Sequence, residues 1–250
     1  MMRSKALVIG KSLLWCLVIL LFPVASGTLS VILSLTAVET LFLQGSFMLL
    51  ALIPPAVFTF KNQWQWSGIG FARFDFERCK RALYFLPLLL IFVPAALKGF
   101  YAESVGYVLG NLFLYLLVGV SEEIYFRGVI PNILKKEFST GAVVLLSVVI
   151  FGIGHIAAAF SGINGLEIAL TVLNAFIFGW LAMEMTFISG NIIPAVLVHF
   201  LFDFETKIAA MDAESLLAAE GVGGALMFAA AGWLTVTAYR RRRTARVAKN

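Results

Sequence analysis

The sequence predicts an all-α membrane protein, a polytopic bundle of about eight transmembrane helices with a polar intramembrane cavity. Three observations predict it. The 250 residues are 61% hydrophobic, with a mean hydropathy of +0.95. Only 13% are charged, against about 25% in soluble domains. The apolar residues come in long unbroken runs rather than the alternating segments of a membrane barrel, and open sheet edges cannot be satisfied in lipid.

The runs place spans near 12–34, 41–60, 83–98, 106–127, 142–160, 166–186, 191–205 and 222–239. Arg3, Lys5 and Lys11 before the first run, with Val24-Ala25-Ser26 near its end, also outline a signal peptide. Apolar character resumes through Leu35, so an uncleaved first span is expected. After the second run comes the longest polar interruption, Lys61 to Arg81, where Trp64-Gln65-Trp66 and Arg73, Arg78, Lys80 and Arg81 suggest an interfacial stretch. The fourth run ends in Ser121-Glu122-Glu123-Ile124-Tyr125-Phe126-Arg127, the fifth holds His155, the seventh holds His199 and Asp203, and the eighth stops at Arg240-Arg241-Arg242-Arg243. Residues 1–250 read as one membrane domain with a motif-bearing core about 106–205 and a basic tail at 240–250. No internal repeat is evident.

The net charge of +5 does not point to nucleic acid, because the basic residues stand beside membrane ends. Of 19 Lys and Arg, all but Lys98 and Lys207 fall on one side of an eight-span topology, together with both termini. That side is expected to be cytoplasmic, in a plasma (inner) membrane, with the lipid bilayer as the principal partner. Cys16 and Cys79 have neither metal-ligand nor disulfide-framework spacing. Cys16 reads as a small core hydrophobe.

Ionisable groups within apolar spans mark functional sites by default. Glu123 and Arg127, four apart, share a helix face and can pair. Glu122 is rotated by about 100° and stays free of that pair. Partial desolvation strengthens a carboxylate as a general base. Taken alone, the cluster fits an interfacial salt bridge equally well. The two histidines of the chain, His155 and His199, lie in separate spans. Phe151 shares a face with His155, while Gly152 and Gly154 permit close helix approach. Asp203 can accept an imidazole N–H from His199 and fix its tautomer. Each histidine alone is also compatible with a purely structural role. Three apolar helices that each bring ionisable groups could together activate water and stabilise an oxyanion. Glu39 and Glu184 are expected at membrane interfaces, outside this site.

In order and spacing, Glu122-Glu123-x-x-x-Arg127, Phe151-x-x-x-His155 and His199-x-x-x-Asp203 resemble the motifs of the CPBP family. These are CAAX-protease and bacteriocin-processing intramembrane endopeptidases, also called Abi or type II CAAX prenyl endopeptidases. The resemblance runs from about Val118 to Phe204 and includes Phe126-Arg127-Gly128-Val129, Ser189-Gly190-Asn191 and Pro194. It implies an eight-helix fold, a polar cavity opening toward the cytoplasm, and hydrolysis of a membrane-anchored or lipid-linked peptide. It further implies that Glu122 activates water with His155 assisting, that His199 and position 203 stabilise the oxyanion, and that Glu123 and Arg127 support the site. The family has also been described as metalloproteases, in which case His155, His199 and Glu122 would hold zinc. A metal-free, glutamate-activated water with no required cofactor is the expectation here, since the Glu123–Arg127 pair leaves few free ligands.

Two departures accompany the resemblance. The family's last motif usually ends in Asn, and an ionised Asp203 cannot donate to an oxyanion. In depth, Glu122 lies about 8 Å from the inner end of a span closing at Arg127, and His155 about 20 Å from the inner end of its own. They meet only if the fourth helix runs on toward Pro131 or the fifth starts late. A transporter with a proton relay, or a catalytically silent immunity or assembly protein, would bury similar groups.

Overall fold

A computed structural model describes residues 2–62, 69–71, 83–101, 103–161 and 164–247. The interfacial stretch read around Trp64, Trp66, Arg73 and Arg78 lies outside the described residues, as does Cys79. Among the described residues the elements are helical: α1 (Met2–Ile32), α2 (Ala37–Leu50), α3 (Ile53–Lys61), a 3-10 stretch (Leu83–Phe92), α4 (Val93–Lys98), α5 (Val105–Glu123), a π stretch (Ile124–Val129), α6 (Ile130–Leu134), α7 (Thr140–Gly154), a second 3-10 stretch (His155–Ser161), α8 (Gly165–Ser189), α9 (Ile193–Ile208) and α10 (Ala213–Val247).

Six of these runs are long and apolar enough to cross a membrane. They include Ala37–Lys61, which joins α2 to α3, and Val105–Leu134, which joins α5, the π stretch and α6. The other two expected spans are shorter. At about 2.0 Å per 3-10 residue and 1.5 Å per α residue, Leu83–Lys98 still covers roughly 29 Å, close to a hydrocarbon core. Helix α9 covers only about 24 Å. Its entry is prepared by the chain before it. Gly190 takes a left-handed turn (φ 69°), the Asn191 side chain accepts from the Ile193 N–H at 2.9 Å, and the Ile192 N–H donates to Gly70 C=O at 2.9 Å. Irregular backbone at this depth is tolerated because its polar groups are satisfied within the protein.

Caps mark the opposite helix ends. Thr36 and Glu39 form a capping box on α2, with the Thr36 N–H donating to Glu39 at 2.8 Å and the Glu39 N–H to the Thr36 hydroxyl at 3.3 Å. Asn164 accepts from the Leu166 and Glu167 N–H groups, both at 3.0 Å, to start α8.

Side-chain partition is that of a lipid-facing bundle. Leu14, Leu17, Leu21, Leu97 and Val105 are exposed, while Asn111, Glu123, Arg127, Ser147, Glu184 and His199 are buried. Glu184 was expected at an interface and is buried in α8 instead. Glycine spacing is used as expected. A Cβ at Gly152 would come within 2.5 Å of the Phe176 ring of α8, and one at Gly154 within 3.3 Å of Cys16 Sγ on α1. Cys16 is a buried free thiol.

Candidate active site

The fourth span does not stop at Arg127. A charged residue commonly marks a membrane end, but Arg127 is held inside by its pairing, and the helix turns through the π stretch and continues to Leu134. The inner end of that rod therefore lies about 18 Å from Glu122 instead of about 8 Å. This matches the depth of His155, about 22 Å from the start of α7. Single π turns inside α-helices occur often at functional sites. Here the turn is anchored from outside, by the Tyr125 hydroxyl donating to Ala51 C=O at 2.9 Å.

Glu123 is the hub. Its Oε1 lies 2.9 Å from Arg127 Nη1 and 3.0 Å from His199 Nδ1. A carboxylate only accepts, so Nδ1 of His199 carries the hydrogen. The Arg127 guanidinium stacks over Phe151 at 4.3 Å and over Phe178 at 5.3 Å, cation–π contacts that offset part of its desolvation. Phe178 also packs on His199 with ring centroids 4.6 Å apart. Phe151 packs on His155 at 4.6 Å and reaches His199 edge-on at 6.3 Å. The two aromatic rings thus set both histidines and the arginine in one frame.

Two of the candidate residues face a cavity. Glu122 and His155 both line a space of about 620 Å³, together with Phe126, Gly154, Gln44 and residues of α1 from Ile19 to Val31. Nδ1 of His155 lies 3.0 Å from Phe151 C=O. A carbonyl cannot donate, so that nitrogen holds the hydrogen and a neutral ring keeps its lone pair on Nε2. Glu122 is freer than Glu123, as its helical rotation predicts. Its Oε2 is 3.9 Å from His199 Nε2 and has no hydrogen-bond partner. A separation of that size admits a bridging water. Asp203 Oδ2 lies 3.5 Å from the same His199 nitrogen.

Every residue expected in the site is therefore found together: Glu122, His155, His199 and Asp203, with Glu123, Arg127 and Phe151 beneath them. Phe178 was missed. One Phe among 23 carries no sequence signal of its own. Asp203 lies beside His199 as expected, but it is not the carboxylate at Nδ1. Glu123 fixes that tautomer, whereas Asp203 approaches the other nitrogen. Among the described residues no three His, Cys, Asp or Glu side chains are grouped as a metal site requires. As placed here, His155, His199 and Glu122 do not form such a group.

Residues 104–204 match the family model described as Type II CAAX prenyl endopeptidase Rce1-like. The CAAX-protease family read from the three motifs is the family found. It is a family of membrane proteases. The Rce1-like segment runs from just before α5 to within α9, and so contains every residue of the site. No curated protein and no solved structure matches the chain.

Proposed function

We propose that this Rce1-like protein is a metal-free intramembrane endopeptidase in which Glu122 activates the attacking water. The observation that carries the reading is the Glu122 carboxylate itself. Its Oε2 is an acceptor without a hydrogen-bond partner, it lines the same cavity as His155, and it stands one water's width from His199.

The chemistry follows from the hydrogen positions. Glu122 takes a proton from water while the water oxygen attacks the scissile carbonyl carbon, and Nε2 of His155 accepts a hydrogen bond from the O–H that the water keeps. The carbonyl oxygen becomes an oxyanion. A second hydrogen, on His199 Nε2, can donate to it, with Glu123 and Asp203 balancing the resulting imidazolium. Asp203 accepts only, so it orients His199 and does not itself touch the oxyanion. On collapse the C–N bond breaks and Glu122 returns its proton to the departing amine. A membrane-anchored or lipid-linked peptide, cut near its anchored end, suits a site enclosed among helices. Ile69 and Ile192, both fully buried on the side of the chain termini, favour this reading over a transport path through the bundle.

The test is Glu122→Gln, assayed on a membrane-anchored reporter with the size-exclusion profile as a folding check. Cleavage is expected to fall by about 10²–10⁴-fold while the profile is unchanged. Undiminished cleavage would remove Glu122 from its role. The same active preparation is expected to hold no stoichiometric zinc, and one zinc per chain would overturn the metal-free account.

A further inference from the structure

The cavity that holds Glu122 and His155 also takes in an amide, that of Gln44. Gln44 lies within the apolar run Ala37–Lys61, about 11 Å from the start of α2. A carboxamide inside a membrane-spanning run is costly unless something pairs with it. Among the described residues, none hydrogen-bonds to this one. The other neutral polar groups of the cavity have already committed their hydrogens. The Thr28 hydroxyl donates to Val24 C=O at 2.8 Å and the Ser30 hydroxyl to Gly27 C=O at 2.7 Å, both within α1. Nδ1 of His155 gives its hydrogen to Phe151 C=O. Gln44 therefore brings two uncommitted N–H donors to the cavity, and its carbonyl accepts as well.

Contacts between helices fix how far Gln44 stands from the reacting groups. Helices α2 and α5 run in the same direction. A Cβ at Gly106 would meet Val38 at 3.3 Å, one at Gly110 would meet Leu41 at 3.0 Å, and one at Gly45 would lie 3.4 Å from Leu114 Cα. Gln44 is therefore level with Phe113, nine residues before Glu122, a separation of about 13 Å along the axis. Helix α1 measures the same span independently. A Cβ at Gly27 would lie 3.9 Å from Gln44 Nε2, and one at Gly154, next to His155, would lie 3.3 Å from Cys16 Sγ. Cys16 and Gly27 are separated along α1 by about 16 Å. Between these two levels Ile19, Leu20, Pro23 and Val24 make an apolar wall.

We propose that Gln44 is a substrate-binding residue, holding a backbone peptide group of an extended segment about four residues from the scissile bond. This rests on the hydrolytic reading above. An extended chain advances about 3.3 Å per residue, so four residues cover about 13 Å. A carboxamide answers a peptide backbone at both of its polar groups: its N–H donates to a C=O, and its C=O accepts an N–H. An extended backbone lying along the apolar wall would otherwise leave those groups unsatisfied. The wall itself suits aliphatic side chains between the two ends. The cavity volume of about 620 Å³ is in the range of roughly 300–1,000 Å³ that encloses a small ligand. A contact to the backbone sets how far from Gln44 the chain is cut and leaves its sequence open.

The experiment compares the full chain with Gln44→Leu, which removes the amide and suits an apolar span. The probe is a membrane-anchored reporter rich in Leu and Ala, together with a set of copies in which one peptide N–H at a time is replaced by an ester oxygen. On the all-amide reporter Gln44→Leu is expected to lose about 3–10-fold in kcat/KM, carried by KM. An ester three to five residues from the scissile bond is expected to cost the unaltered chain a similar factor and to cost Gln44→Leu nothing further. An unchanged KM in Gln44→Leu overturns the proposal. So does a loss in Gln44→Leu with every ester affecting both chains equally, which is what a purely structural glutamine would give. Binding of the all-amide reporter to Glu122→Gln, with and without Gln44→Leu, gives the comparison without cleavage, read by fluorescence anisotropy. Equal Kd values there overturn the role of Gln44 and leave hydrolysis by Glu122 intact. Undiminished cleavage by Glu122→Gln removes the hydrolytic reading instead, whatever the Kd values.

Discussion

Glu123 Oε1 receives both Arg127 and His199, which makes one fully buried oxygen the support of a cation and of an imidazole ring. Removing it leaves the guanidinium in a low-dielectric interior without its directly paired carboxylate. Breaking a buried pair from one side typically costs about 3–5 kcal/mol. Glu123→Ala is therefore expected to lower the melting temperature in detergent substantially, whereas Glu122→Gln leaves it nearly unchanged. Equal melting of the two variants would refute this division between support and reaction. Asp203 presents the converse case. It stands 3.5 Å from His199 Nε2 and 28% of its side chain is exposed, so it acts on the ring more than on the fold. Asp203→Asn, the residue usual in the family, is expected to keep the melting temperature and measurable cleavage, since an amide oxygen still accepts and its NH₂ adds a donor toward the oxyanion. Complete loss of cleavage would show that the charge itself is needed. The pairs Glu123–Arg127 and His199–Asp203 were legible in the sequence because each lies within one helix, four residues apart. The Glu123–His199 contact joins residues 76 apart in the chain, a distance over which periodicity says nothing.

Helices are where the sequence was read most safely and their ends least so. The expected fourth span ends at Arg127, a cation of the kind that ordinarily marks the interface. The helix continues because Glu123, Phe151 and Phe178 supply inside the protein what water would supply outside. That continuation removes the apparent mismatch in depth between Glu122 and His155. Its tolerance for side chains varies sharply along the chain. A Cβ at Gly128 would sit 2.6 Å from the backbone carbonyl of Ile69, one at Gly152 would meet the Phe176 ring at 2.5 Å, and one at Gly141 would meet nothing within 4 Å. A ring at the end of a side chain can swing aside more cheaply than a peptide group. Melting temperatures should therefore rank Gly141→Ala near wild type, Gly152→Ala lower and Gly128→Ala lowest, the last losing about 1–3 kcal/mol from overpacking. Gly128→Ala is also expected to reduce cleavage, because Gly70 of the displaced segment lines one cavity with Arg127. A neutral Gly128→Ala would mean that this segment yields freely.

At the scale of the molecule, the number of crossings depends on the two elements too short to be recognised by length, Leu83–Lys98 and α9. Their termini bear on the matter. Where α9 begins, the Ile192 N–H donates to Gly70 C=O at 2.9 Å, on the chain leading to Leu83. Where it ends, the Tyr101 N–H donates to Ile208 C=O at 2.7 Å and the Ala210 N–H to Gly99 C=O at 2.9 Å, just past Lys98. The two short elements thus finish at one level. If both cross along with the six long runs, there are eight crossings and both termini lie on one face. The expectation is specific whichever face is cytoplasmic. Epitopes inserted at Glu103 and Asp212 should be reached from the same side of the membrane, and epitopes at Ser139 and at the C-terminus from the other. If the short elements did not cross, the pairing would change, with Glu103 joining the C-terminus and Asp212 joining Ser139. Antibody access to the four tagged proteins in sealed and opened vesicles separates the two arrangements. The second pairing would also take α9, and with it His199, out of the bundle that holds Glu122.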